Sequence, residues 1–182
     1  MITATARKDC GRHARWALSL AEAVISIAII GVMLVAALNT VGASQTTQKK
    51  MSDRSRGVLL AQDLMSEILQ QHYEDPGLSA GSFGLAGAKI GDGSRTLWDD
   101  VDDYDGWSAS PPQEKDGTEI TGFDGWRRSV AVEWVDQLDV AAERGSDTGV
   151  KRITVSVTLD DAPLATLVAL RTNAFQYGPE EE

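Results

Sequence analysis

The chain opens on a long uniform block and closes on alternation. From Ala23 to Leu38 every position is apolar or small except Ser26, and no charge follows Glu22 until Lys49. At about 1.5 Å per residue a helix from Leu18 to Leu38 covers roughly 30 Å, one hydrocarbon thickness, so this block predicts a membrane-crossing half-helix over 18–42. The pattern then turns amphipathic over 43–75: Val58, Ala61, Met65, Ile68 and His72 recur at helical spacing, with Leu64 and Leu69 widening the stripe. Asp75, Pro76 and Gly77 supply a stop. Gly31, Gly42 and Gly57 are points where such a helix could bend. Residues 76–125 are rich in Gly, Ser and Asp and read as loop.

Period-two alternation takes over across 126–174. Arg128, Val130, Val132 and Trp134 fall on one face of a strand, and Ile153, Val155, Val157 and Leu159 on one face of the next. The turn residues Asp160 to Pro163 lead into Leu164–Thr172, a more uniformly apolar run expected to be covered on both faces, with the long helix as one cover. The acidic tail 175–182 reads as loose. Together these elements predict an α+β fold, a long amino-terminal helix packed on a carboxy-terminal antiparallel sheet.

Charge and chemistry narrow the function. The 182 residues carry 17 basic against 27 acidic side chains, a net charge of -10, which argues against nucleic acid as a partner. Gly77 to Gly81 matches the G-x-S-x-G pattern around Ser79, but no histidine follows His72 to complete a triad. Two histidines and one cysteine, Cys10, cannot supply a zinc ligand set, so nothing here predicts an enzyme.

Two acidic features remain. Glu22 is the lone carboxylate at the start of the apolar block, where an ionisable group is costly and by default functional. A secretory signal, with Arg7, Lys8, Arg12 and Arg15 ahead of it and a small-residue site at Val41 to Ser44, would be shorter and uncharged. A plain anchor fits the length but leaves Glu22 unexplained. Lys49, Lys50, Arg54 and Arg56 balance the leading basic residues, so charge bias assigns no orientation. The second feature is Trp98 to Trp107, where Asp99, Asp100, Asp102, Asp103 and Asp105 place five carboxylates in seven residues. Aligning Asp103, Asp105 and Gly106 to an EF-hand puts Val101 and Pro112 at the first and last ligand positions, so that loop is not present. An irregular calcium site and an exposed acidic loop anchored by Trp98, Tyr104 and Trp107 both stay open.

The stretch RWALSLAEAVISIAIIGVMLVAAL resembles the amino-terminal signature of type IV prepilins and type II secretion pseudopilins. The resemblance implies a basic leader, residues 1–17, cut after Ala17 by a prepilin peptidase, with Leu18 as the methylated first mature residue and Glu22 at the fifth position. Ala17 and Leu18 stand where the family commonly has Gly and Phe. It further implies a pilin-like fold, with a single span in the bacterial inner membrane and a head in the periplasm. Its partners would be other pilins or pseudopilins and an inner-membrane assembly platform. Glu22 would pair with the amino terminus of a neighbouring subunit in a filament. Some pseudopilin heads hold calcium, the only cofactor the resemblance suggests. Trp98 to Trp107 and the GFDGWRRSVAVEWV stretch also resemble the heads of minor pilins of the mannose-sensitive haemagglutinin type. Loss of 1–17 leaves 13 basic against 26 acidic residues and no cysteine. The reading of a different class is a signal-anchored or secreted periplasmic binding protein with no filament role.

Overall fold

The structure is a computed structural model that describes residues 19–76, 81–85, 89 and 94–174. Two compact units divide the chain, Met1–Gln48 and Lys49–Glu182. One helix, α1 (Leu20–Leu69), contributes to both. The fold class is α+β.

In the first unit every described residue of α1 is exposed. This part of the helix is long and apolar enough to cross a membrane or to act as a signal anchor. Its three threonine hydroxyls bond within the helix. Thr40 Oγ1 donates to Ala36 O at 2.9 Å, and Thr46 and Thr47 both donate to Ala43 O, at 2.9 and 3.0 Å. Hydroxyls folded back on helix carbonyls need no partner from outside, which suits an apolar surrounding. Gly31 and Gly42 lie within an unbroken helix, where an added Cβ would meet nothing within 4 Å.

The second unit packs residues 49–69 of α1 on a four-stranded antiparallel sheet of order β1-β2-β3-β4. These strands are β1 (Ser108–Ala109), β2 (Trp126–Trp134), β3 (Val150–Leu159) and β4 (Ala162–Thr172). Alternation sets the inner face: Arg128, Val130 and Val132 of β2 point inward, as do Ile153, Val155 and Val157 of β3. Val130 lies opposite Val155, and Val132 opposite Ile153. Against them α1 buries Leu60, Ala61, Leu64, Met65 and Ile68, each large side chain worth about 1.5–3 kcal/mol of transfer free energy. Gly57 permits the approach, because a Cβ there would stand 3.0 Å from Leu164 Cβ and 3.6 Å from the Trp126 ring. A two-residue hairpin joins β3 to β4 through Asp160 and Asp161, at φ 48° and 62°, the left-handed pair that matches strand twist.

Four expectations change. The helix closes at Leu69, short of the expected 75, because His72 leaves it to bridge Asp100: His72 N donates to Asp99 O and Val101 N to His72 O, both at 3.0 Å. The buried stripe gains Leu60 and loses Leu69, and Tyr73 is buried where His72 is exposed. Within the expected loop region the chain forms β1, which pairs with β2, and a 3-10 turn, Asp102–Tyr104. Finally, β4 is an edge strand covered on one face only: Leu164, Leu167 and Ala169 pack on the core, while Val168 and Leu170 are exposed.

Candidate functional site

The first candidate is the opening turn of α1. Ala17 and Leu18 lie outside the described residues; Glu22 lies within them, in the first helical turn. Ser19 caps this helix: its Oγ accepts from Glu22 N at 3.2 Å, and its carbonyl accepts from Ala23 N at 3.1 Å. Ser19 and Glu22 thus have the spacing of a capping box, a signal present in the sequence as S-x-x-E. Glu22 also stands where the positive end of the helix dipole favours an anion. The carboxylate therefore has a local stabilising role besides any pairing with another subunit.

The second candidate is the acidic turn of the second unit. It is not an exposed loop: Asp100, Asp102 and Asp103 are buried. The turn folds on its own carboxylates. Asp100 Oδ1 accepts from Asp102 N at 2.9 Å and Asp103 N at 3.0 Å, and Asp103 Oδ2 accepts from Asp99 N at 3.1 Å. Asp105 leaves the cluster and accepts from Val132 N at 2.9 Å, tying the turn to β2. Trp98 and Tyr104 are buried and meet edge-to-face with ring centres 4.8 Å apart.

Two lysines enter this turn, and sequence reading singled out neither. Lys151, buried on β3, donates to Asp102 Oδ1 and to Tyr73 O, while Gly84 N donates to Asp102 Oδ2 at 2.8 Å. Lys89 Nζ lies among four carboxylates, at 2.7 Å from Asp75, 2.6 Å from Asp99, 2.7 Å from Asp103 and 3.3 Å from Asp100. An ammonium has three N–H donors. The three short contacts match them, and Asp100 Oδ2 takes the longest and weakest of the four. Burial works against the Lys89 charge, but hydrogen bonds to Asp103, Asp75 and Asp99 raise its pKa above the ordinary lysine value. Burial, with Asp102 and Asp103 nearby, pushes Asp100 up to about 7. Burial likewise raises Asp103 despite Lys89 beside it.

Calcium is the cofactor that the resemblance implies. Donor atoms of Asp75, Asp99 and Asp100 lie within 4.8 Å of one another, a spacing that one cation can bridge. The Lys89 ammonium fills that position, and a divalent ion with its six to eight oxygens at about 2.3–2.6 Å would have to displace it. The two do not fit together.

A second charge network joins α1 to the turn. Arg95, fully buried, makes a bidentate pair with Glu67 at 2.9 and 3.0 Å, and Tyr104 Oη donates to Glu67 Oε1 at 2.9 Å. Arg95 also stacks on Trp107, 4.3 Å from the ring centre. Burial alone would raise the Glu67 carboxyl, but Arg95 and Tyr104 hold it below the usual value. This network fastens the turn to the helix.

A scan against protein-family models, a search of curated proteins and a search of solved structures each returned no match.

Proposed function

We propose that the chain is a minor pilin or pseudopilin, a structural subunit of a type IV pilus or a type II secretion pseudopilus. A prepilin peptidase cuts between Ala17 and Leu18, and the first part of α1 holds the mature chain in the bacterial inner membrane with the second unit in the periplasm. At the assembly platform the helix passes from lipid into a filament core made with other pilins or pseudopilins. The observation that carries the reading is Glu22, alone in the first turn of a helix that then bears no charge through Gln48.

The physical case rests on what such a helix needs. Its exposed apolar surface is satisfied equally by lipid or by copies of similar helices, so moving from one to the other costs little. One buried carboxylate then sets the register: paired with a neighbour's amino terminus its desolvation is offset, and one position out of register it is not. No catalytic group is required of this chain.

Intact-mass and amino-terminal peptide mass spectrometry on protein from its native membrane tests the proposal. A chain starting at N-methylated Leu18 is the expected result. A start at Met1, or near Ser44, overturns it in favour of an anchored or secreted periplasmic binding protein.

A further inference from the structure

Among the described residues, the carboxylates gathered at the acidic turn outnumber the ammonium groups that meet them. Asp75, Asp99, Asp100, Asp102 and Asp103 meet two ammonium groups, Lys89 and Lys151, and Lys151 is committed to Asp102. The remaining four carboxylates converge on Lys89, whose side chain is 11% exposed. Asp103 is completely buried, and its Oδ1 has no hydrogen-bond partner, so the cluster has spare oxygen capacity. Carboxylates this close repel one another by several kcal/mol in a medium of low dielectric unless a cation stands between them.

We propose that Lys89 is the resident cation of this turn: its ammonium fills the position that a divalent ion would take, so the second unit folds without calcium. The corollary is an exchange. Without that amine, the same oxygens of Asp75, Asp99, Asp100 and Asp103 become a site for a hard divalent cation. Geometry supports the equivalence, since the three short contacts at 2.6–2.7 Å are those of a charged amine in the middle of an oxygen cage. The inference stands independently of the filament reading, because it concerns only how the second unit balances its own charge.

The full chain, purified in detergent, provides the test, with calcium as the probe. For the unaltered protein the melting temperature is expected to be the same in chelator and in millimolar calcium, and calorimetric titration should show no saturable calcium binding. Lys89→Ala should melt several degrees lower in chelator, recover in calcium, and bind calcium saturably. Saturable calcium binding by the unaltered protein, or a melting temperature that chelator lowers, overturns the proposal without reference to any variant. A Lys89→Ala chain that neither binds calcium nor regains stability in it overturns the exchange. Lys89→Arg keeps the charge and should remain indifferent to calcium; a calcium-dependent Lys89→Arg would show that charge is not what fills the site.

Discussion

At the scale of single residues, Glu22 and Glu67 show how one side chain type serves two purposes. Glu22 occupies the third position of α1, where Ser19 caps its N–H and where glutamine caps as well as glutamate. Glu22→Gln therefore separates the two roles: it keeps the cap and removes the charge. Under the filament reading, Glu22→Gln should be processed normally and enter filaments as poorly as Glu22→Ala, as read by sheared-filament immunoblotting; normal incorporation of the Gln variant would sink the charge-register idea. Glu67 acts inside the second unit. Its folded pKa lies below its unfolded value, so its pairing with Arg95 contributes fully above that unfolded value and is lost as pH falls through the folded one. Glu67→Gln should cost about 3–5 kcal/mol at neutral pH, because Arg95 is left buried without its counter-charge. Chemical denaturation should show this gap narrowing below pH about 4. A gap that stays constant into acid would mean that the charge pair contributes nothing.

At the scale of elements, the close approach of α1 to β4 depends on Gly57. Gly57→Val should destabilise the second unit by about 1–3 kcal/mol through overpacking against Leu164 and Trp126, readable as a lower melting temperature. Gly42→Ala, with open space around its new methyl, should leave that transition unmoved. Since either replacement improves helix propensity, a Gly57→Val transition that does not fall would show that close approach to Leu164 is not what this position requires. The elements themselves were legible where a period was sustained: β2 and β3 alternate over nine and ten residues, and their inward valines could be read directly. Elements no longer than one period left no trace, as with the two residues of β1. The even apolar run of β4 suggested two covered faces, because hydrophobicity alone does not distinguish a central strand from an exposed edge. The acidic turn was visible as five aspartates in seven residues, but not its balance. Lys89 sits in a glycine-rich run with no periodicity, and Lys151 in a strand whose other charged neighbour, Arg152, faces outward to Glu133. Contacts made across such separations have no local signature.

At the scale of the whole molecule, two apolar surfaces stand exposed among the described residues, for different reasons. The first part of α1 is apolar all round, as a lipid-facing or filament-forming helix must be. The outer edge of β4 is a smaller liability: from Leu164 to Leu170 it carries no charge, and Val168 is 61% exposed. An uncharged edge strand is a template for pairing with another chain. Val168→Lys should reduce concentration-dependent association in light scattering while leaving the melting temperature within about a degree; unchanged association would show that the apolar helix alone drives it. The lysine in the acidic turn has a consequence of another order. Occupancy of a metal site follows the free concentration of the ion outside, whereas a group on a short stretch of the same chain is presented at an effective concentration on the order of millimolar, whatever the dilution. Lys89 lies fourteen residues from Asp75 and ten from Asp99. The protein thus carries its counter-ion at fixed stoichiometry wherever it goes, and the folding of this turn is a property encoded in the polypeptide, with no supply to run out.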